Sequence, residues 1–227
     1  MTDTQPAATS GQQDHAVLDE ACRYATALFA DALDQLGRYD QVIEPGFSQL
    51  SGGGVMAGFA VTVAVGTSHR GVAHPYEKEF EAIELLRPGS ILVASTDGPP
   101  AAFWGELLTR RAMKLGAHGA VIDGFARDLD HIRAVNFPVW ARGTNARDSA
   151  GRLEAYAVGG TIICGGVAVA AGDLVVSDSD GIVIVPSTLI GEALNRVREK
   201  HRVEQDVRGA LAGGATTDEV YARFGIL

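Results

Sequence analysis

Two apolar runs flank a stretch with helical periodicity, and this arrangement constrains the fold more than any other feature of the sequence. Residues 90–95 (SILVAS) and residues 119–123 (GAVID) each have the composition of a buried strand. Between them, apolar side chains recur at the spacing of one helix face, at Trp104, Leu107, Leu108, Ala112 and Leu115. Strands joined through a helix run parallel and lie next to each other. The sequence therefore predicts a parallel strand–helix–strand unit.

Helix and strand patterns also precede this unit. Residues 16–37 place apolar side chains at the spacing of one amphipathic helix, which Gly37 would end. Residues 58–66 (GFAVTVAVG) are rich in β-branched residues and predict a buried strand. Residues 77–86 (EKEFEAIELL) predict a short helix that the following Arg-Pro-Gly turn would stop.

The second half of the chain has a different pattern. Residues 138–186 contain short apolar runs punctuated by Gly and Asp, which is typical of antiparallel strands and hairpins. A long amphipathic helix over 189–211 and a short terminal helix follow. No repeat or linker divides the chain. We therefore expect one α/β domain over residues 16–227, after a disordered N-terminal tail over residues 1–15.

Charge and cysteine content argue against several classes of protein. The formal net charge of −9 disfavours a nucleic-acid-binding surface, which needs clustered Lys and Arg, although one local cation could still bind a small anion. Cys22 and Cys164 lie in apolar surroundings and are expected to be reduced, packed thiols. The sequence has no basic, apolar leader and no run of the roughly 18 apolar residues that a membrane helix needs. We expect a soluble cytoplasmic protein.

The start of the helix inside the strand–helix–strand unit is a candidate anion site. Pro99 and Pro100 suit the first turn of a helix, where a missing N–H costs nothing. Gly105 to Leu108 then fall in the first turns, where backbone N–H groups lack partners within the helix. Together with the helix dipole, these groups favour a carboxylate or phosphate.

An arginine and an aspartate follow the second strand of the unit. Twenty residues, the length of one helix and one strand, separate Glu106 from the Arg127–Asp128 pair. Because parallel strands present their carboxyl ends at the same edge of a sheet, where open α/β sheets bind ligands, we expect Glu106 and the Arg127–Asp128 pair to meet.

The residue types in these two segments suit an oxo acid and a hard metal ion. Arg127 can hold a carboxylate through two hydrogen bonds and can stabilise an enolate oxygen. Asp128 can supply one oxygen ligand to Mg²⁺ or Mn²⁺, with water and substrate completing the octahedron. Glu106 could act on a proton, directly or through water. Taken alone, an Arg–Asp dipeptide in a loop more often forms a surface ion pair, and a glutamate in a first helical turn is commonly only a favourable charge.

The same residues carry a resemblance to a known family. Residues 103–132 (FWGELLTRRAMKLGAHGAVIDGFARDLDHI) resemble the RraA-like family, which includes the 4-hydroxy-4-methyl-2-oxoglutarate (HMG) aldolases. The resemblance extends from about Val17 to the C-terminus. Further matching pieces are DALDQLG at Asp31, GFAVTV at Gly58, RPGSILV at Arg87, FPVWARGT at Phe137 and AGDLVVSDSDGIVIVP at Ala171.

The resemblance implies a fold, an assembly and a set of site residues. The implied fold is a three-layer ββα domain of the swivelling-domain type, assembled as a homotrimer or homohexamer with active sites between subunits. The aldolases are class II pyruvate aldolases whose pattern is an acid, twenty residues, and Arg-Asp; here Glu106 stands where aspartate is usual. The substrate carboxylate would bind the backbone amides of Gly105 to Leu108 together with Arg127. Asp128 would ligate Mg²⁺ or Mn²⁺.

The implied reaction is retro-aldol cleavage of a 4-hydroxy-2-oxo diacid of the HMG type to pyruvate and a second oxo acid. Glu106 is the candidate catalytic base, and Arg127 would stabilise the enolate. Oxaloacetate decarboxylation passes through the same enolate, so it is predicted as well. The rival function is that of the RraA regulators, which share the fold but bind and inhibit an RNA-degrading endonuclease. An acid at position 106 favours the enzyme, because a binding scaffold has no need of one.

Three other groups of acidic and histidine residues resemble parts of metal or catalytic sites but are explained more simply by structural roles. The SDSDG segment at Asp178 and Asp180 lacks the remaining ligands of a calcium loop and predicts a hairpin turn. His69 and His74 are five residues apart in a loop, which does not fit a helical zinc motif. Glu199 and Glu204, on the long C-terminal helix, could position a catalytic water in a neighbouring subunit, but solvated surface charge is the simpler interpretation.

Overall fold

The computed structural model describes residues 10–68 and 76–227 and shows a mixed α/β domain. His69 and His74 lie outside the described residues. The helices are α1 (Ser10–Ala21), α2 (Thr26–Gln35), α3 (Glu77–Glu84), α4 (Glu106–Lys114), α5 (Leu129–Ala134), α6 (Ile190–Ala212) and α7 (Thr217–Phe224). The strands are β1 (Ser48–Ser51), β2 (Met56–Thr67), β3 (Ser90–Asp97), β4 (Ala102–Trp104), β5 (Gly119–Ala126), β6 (Val139–Thr144), β7 (Leu153–Val158), β8 (Ile162–Cys164), β9 (Val167–Val169), β10 (Leu174–Asp178) and β11 (Gly181–Val185).

The main sheet has the order β1-β6-β5-β3-β2-β10-β11, with β4 added beside β5 and β7 beside β2. One face packs against α3, α4 and α5 through a cluster that includes Ile83, Ala112 and Ile132. The β8–β9 hairpin packs on another face of the sheet, where its Ile162 and Val169 join a second apolar cluster with residues of the main sheet. Helix layer, main sheet and hairpin form three layers. The predicted three-layer α/β fold is therefore confirmed.

The strand–helix–strand unit is confirmed, with one added element. β3 and β5 are parallel neighbours, aligned from Ile91 opposite Gly119 to Ser95 opposite Asp123. The segment between them does not pass directly into a helix, because residues 102–104 form β4 and pair with β5. Pro99 and Pro100 therefore precede a strand, and the prediction that they lie in the first helical turn is wrong. α4 begins only at Glu106, with Gly105 as its N-cap residue.

The single helix predicted for residues 16–37 is two helices, because a distant carboxylate starts the second. The Asp178 side chain accepts hydrogen bonds from the backbone N–H of Thr26 at 2.8 Å and from its Oγ1 at 2.6 Å. A carboxylate at this position satisfies free N–H groups and complements the helix dipole. α1 begins at Ser10, so residues 10–15 of the predicted tail are helical.

The β-rich second half is antiparallel in part. β10 and β11 form the predicted hairpin, in which Asp178 lies opposite Gly181, so the turn assigned to the SDSDG segment is confirmed. β7 also runs antiparallel to β2. β6 pairs antiparallel with β1 but parallel with β5, so the antiparallel prediction holds only in part for that strand.

The two cysteines occupy different environments. Both are free; Cys164 is buried as predicted, whereas Cys22 is exposed rather than packed. Burial in an apolar layer raises the pKa of the Cys164 thiol, so it stays protonated. Within the described ranges, no helix is both long and apolar enough to cross a membrane.

Replacing Asp178 tests its role in starting α2. Asp178→Ala leaves the N–H and hydroxyl of Thr26 without partners in a buried setting, and we expect the free energy of unfolding to fall by about 3 kcal/mol. Asp180→Ala, in the exposed turn next to it, should change stability by less than about 0.5 kcal/mol. Urea denaturation of both variants measures the difference, and equal stabilities would contradict the proposed role.

Candidate active site

Parallel pairing of β4 with β5 brings the two predicted segments together. Ala102 lies opposite Phe125, and the backbone N–H of Arg127 donates to the carbonyl of Trp104 at 2.9 Å. Trp104 is fully buried, stacks on Phe137 and donates its indole N–H to Thr109 in the first turns of α4. The start of α4 is thereby held against the residues that follow β5.

Asp128 contacts the N-terminus of α4 directly. Its backbone is left-handed, with φ of 59°, a conformation that aspartate and asparagine adopt more readily than most residues. Its Oδ2 accepts a hydrogen bond from the backbone N–H of Glu106 at 3.3 Å and lies 3.7 Å from Nε of Arg127. The proximity expected of Glu106 and the Arg127–Asp128 pair is therefore present. The first-turn N–H groups of Leu107 and Leu108 have no partner within α4.

A second aspartate reaches the site from a later loop. Asp148 Oδ1 lies 3.5 Å from a terminal nitrogen of Arg127. Its position is fixed by an isolated parallel bridge between Ala102 and Asp148, together with a hydrogen bond from the Ala102 N–H to the Arg147 carbonyl. Thus Arg127 lies between two carboxylates.

These groups line a cleft of about 340 Å³. Most of its wall is apolar or aromatic, and the residues are Tyr76, Glu79, Phe80, Ala102, Phe103, Trp104, Gly105, Leu107, Leu108, Arg127, Asp128, Asp148 and Ser149. Arg127 is the one cationic side chain among these described residues. An anionic group that enters the cleft therefore has two sources of attraction, Arg127 and the N-terminal turn of α4.

The side chain of Glu106 is directed elsewhere. Its carboxylate accepts a hydrogen bond from Nε of Arg110 at 2.7 Å, one turn along α4, and Glu106 is not among the residues that line the cleft. The bond from Arg110, with a further contribution from His131, lowers the pKa of the Glu106 carboxyl. The backbone of Glu106 therefore belongs to the site, while its carboxylate is an ionised partner of Arg110.

Glu79 is a cleft residue that the sequence reasoning missed. It lies on α3 with only 7% of its surface exposed. Burial first, and then the charge of nearby Asp148, raise the pKa of its carboxyl to about 7, while Arg127 opposes the shift. α3 carries four glutamates, and its sequence signals only that one face is apolar. Glu79 was not distinguishable from its neighbours without the packing of α3 on β2 and β7.

The chemistry of Asp128 fits a hexacoordinate divalent ion that keeps most of its water. Within the described ranges, no group of three or more His, Cys, Asp and Glu side chains could enclose a metal. Mg²⁺, however, is commonly bound through one or two carboxylates plus water and substrate oxygens. The Asp128 side chain is 41% exposed at the cleft, and only its Oδ2 is engaged by the protein contacts described above. Its Oδ1 could therefore serve as a single protein ligand.

The chain belongs to the RraA-like family. The family's sequence profile, described as Aldolase/RraA, matches residues 26–184, a span that contains β4, α4, β5 and the Arg127–Asp128 pair.

Three known proteins illustrate the range of this similarity. A protein of Halalkalibacterium halodurans named "Putative 4-hydroxy-4-methyl-2-oxoglutarate aldolase" is 28% identical over 86% of this chain and 89% of its own length. Protein DlpA of Legionella pneumophila is 26% identical over 89% of this chain, which spans only 33% of DlpA. The crystal structure of Streptomyces coelicolor RraAS2, described as an unusual member of the RNase ES inhibitor RraA protein family, superimposes with a TM-score of 0.77 at 27% identity and covers 86% of this chain and 96% of that one.

Neutralising Glu79 should stabilise the fold above neutral pH. The folded pKa of about 7 exceeds the ordinary value of 4.5, so the unfolded chain loses its proton first as pH rises. The free energy of unfolding therefore falls between about pH 4.5 and 7 and stays lowered above that range. We expect Glu79→Gln to be more stable than the natural protein at pH 8 by on the order of 3 kcal/mol, and about equal to it at pH 4.

Chemical denaturation at the two pH values, with EDTA present so that no divalent ion adds charge, measures this difference. Glu77→Gln is the matched control, because Glu77 is exposed on the same helix. A Glu79→Gln variant that is less stable than the natural protein at pH 8 would contradict the effect of burial.

A methyl group at position 105 should disturb Asp128 without straining the backbone. Gly105 has an extended φ of −158°, which any residue adopts. An added Cβ would lie 3.0 Å from Asp128 Oδ2 and 3.4 Å from Arg127 Cγ. We expect Gly105→Ala to weaken Mn²⁺ binding, followed by electron paramagnetic resonance, by about tenfold or more. Gly53→Ala, where nothing lies within 4 Å of an added methyl group, is the control. If Gly105→Ala binds Mn²⁺ as tightly as the natural protein, the result would contradict the role of Asp128 as the metal ligand.

Proposed function

We propose that this protein is a divalent-metal-dependent carbon–carbon lyase that cleaves 4-hydroxy-2-oxo acids, including diacids of the HMG type, to pyruvate and a second oxo acid. The observation that carries the proposal is the convergence of Arg127, Asp128 and the N-terminal turn of α4 on one cleft. Relatives named as HMG aldolases support the lyase class.

The 2-oxo acid end of the substrate matches the positive part of the cleft. Its carboxylate would accept hydrogen bonds from the N–H groups of Leu107 and Leu108, at the positive end of the α4 dipole. Arg127, which lines the same cleft, would hold the carboxylate or the 2-oxo oxygen through its guanidinium.

Cleavage requires that negative charge be stabilised on the pyruvate fragment. The C4 hydroxyl loses its proton, the C3–C4 bond breaks, and the electron pair of that bond forms the pyruvate enolate. Arg127 stabilises the enolate oxygen electrostatically. When bound at Asp128, Mg²⁺ or Mn²⁺ would supply further positive charge at the 2-oxo group. The same enolate arises when oxaloacetate loses carbon dioxide, so decarboxylation is proposed as a second activity of this site.

The proposed assembly is a homotrimer or homohexamer in which subunits meet beside the cleft. Two large apolar residues of the cleft are exposed in the single chain, Leu107 at 77% and Phe80 at 56%. Burial of these side chains against another subunit would remove apolar surface from water and close one side of the cleft. Glu199 and Glu204 do not line the cleft of their own chain, so any role for them requires such a neighbour.

A binding function is the second candidate, because the similar Streptomyces coelicolor protein is described as a member of an RNase inhibitor family. Under this alternative, the protein would bind an RNA-degrading endonuclease and lower its activity. An RNA cleavage assay with increasing amounts of this protein tests it. Inhibition without any release of pyruvate would favour the regulator over the lyase.

Pyruvate release provides the direct test of the lyase. We expect pyruvate from a panel of 4-hydroxy-2-oxo acids and from oxaloacetate when Mg²⁺ or Mn²⁺ is present, and none after treatment with EDTA. Arg127→Ala and Asp128→Asn should each lower kcat/KM by about 100-fold or more. Asparagine is chosen at position 128 because it tolerates the left-handed backbone.

Two substitutions outside the cleft serve as controls. Arg111→Ala removes a cation of α4 that pairs with Glu84, and Asp130→Asn removes an exposed carboxylate near Asp128. Both variants should keep most of the activity. The lyase proposal fails if the natural protein releases no pyruvate from any substrate of the panel with either metal.

A further inference from the structure

We propose that Glu79, rather than Glu106, is the proton-transfer residue of this site, taking the proton of the C4 hydroxyl and returning a proton to C3 of the pyruvate fragment. The inference rests on the proposed lyase function and assigns a role that the sequence pattern gave to another residue.

The first support is the position of Glu79. It lies on α3 with only 7% of its surface exposed. It lines the same cleft as Arg127, Asp148 and the N-terminus of α4. A glutamate is rarely buried to this extent without a partner. Among the described residues, however, Glu79 forms no hydrogen bond or ion pair. Its carboxyl interacts with Asp148 and Arg127 only through longer-range electrostatics.

The second support comes from the other carboxylates near the site, each of which is already engaged. Glu106 accepts a hydrogen bond from Arg110, and Asp128 accepts one from the N–H of Glu106. Asp148 lies within ion-pair distance of Arg127. Glu79 alone among these four presents a carboxyl to the cleft with neither a donor nor a cation from residues 10–68 and 76–227 in contact.

The electrostatic environment of Glu79 also suits proton transfer. Burial and the charge of Asp148 raise its carboxyl pKa to about 7, against the opposing effect of Arg127. Tyr76, at the start of the same helix, also lines the cleft, and its own pKa is raised by burial and by Asp148 and Glu79. A general acid–base group works best when its pKa lies near the operating pH, because both protonation states are then populated.

One residue can serve both proton transfers of the reaction. The Glu79 carboxylate accepts the C4 hydroxyl proton while the C3–C4 bond breaks, which leaves a carbonyl at C4 and an enolate on the pyruvate fragment. The resulting Glu79 carboxylic acid then donates that proton to C3, which forms the methyl group of pyruvate and regenerates the carboxylate. Atoms and electrons balance without an oxidant, a reductant or a further reactant.

Exchange of the pyruvate methyl protons tests this assignment without an aldol substrate. In D₂O with Mg²⁺, the natural protein should catalyse hydrogen–deuterium exchange at C3 of pyruvate, followed by proton NMR. Glu79→Gln should lower the exchange rate by about 100-fold or more, while the dissociation constant of pyruvate changes less than threefold. A residue with only a structural role would not separate exchange from pyruvate binding in this way. Glu79→Asp, which keeps the carboxyl group, should recover part of the exchange.

Matched variants make the outcomes distinct. Glu77→Gln changes an exposed glutamate of α3 and should leave exchange unaltered. The assignment is overturned if Glu79→Gln keeps full exchange, or if Glu106→Gln loses exchange and Glu79→Gln does not. If the natural protein releases pyruvate from oxo acids but Glu79→Gln is unimpaired, only the role of Glu79 fails. If the natural protein catalyses neither exchange nor pyruvate release, the lyase itself fails.

Discussion

The parallel pairing of β4 with β5 is the interaction on which the candidate site depends. Three residues of β4 place the Trp104 carbonyl within 2.9 Å of the Arg127 N–H, and α4 starts two residues later. The buried indole of Trp104 stacks on Phe137 and donates to Thr109 of α4, so strand and helix are held as one unit. This pairing therefore places the N-terminus of α4 next to the Arg127–Asp128 pair.

The cleft concentrates unfavourable charge that the rest of the fold must offset. Arg127 lies between two aspartates, and Glu79 is buried beside them with no hydrogen-bond or ion-pair partner in the part of the chain that the structure describes. A buried carboxyl of this kind lowers stability above its pKa, and a purely structural role offers no compensation for that loss. Arrangements in which burial and like charges shift a pKa toward neutrality are typical of sites that transfer protons.

Long-range contacts also decide where helices begin. Helical periodicity runs through residues 16–37, yet one helix ends at Ala21 and a second begins at Thr26. Asp178, 152 residues away, supplies the acceptor for Thr26 that no nearby side chain provides. Local propensity describes which residues can be helical, whereas the partner for the unsatisfied N–H groups comes from another part of the fold.

The sequence by itself determined the parallel β3–α4–β5 unit, because strand and helix periodicities are local. Two strands joined through a helix form parallel neighbours in one sheet. It also located the meeting of the α4 N-terminus with Arg127 and Asp128, since carboxyl ends of parallel strands share one edge. Only the tertiary structure decided that the Glu106 carboxylate turns to Arg110 and that Asp148 and Glu79 enter the cleft. Those outcomes depend on an isolated bridge to Ala102 and on how α3 packs against β2 and β7, and such contacts between distant segments leave no local pattern in the chain.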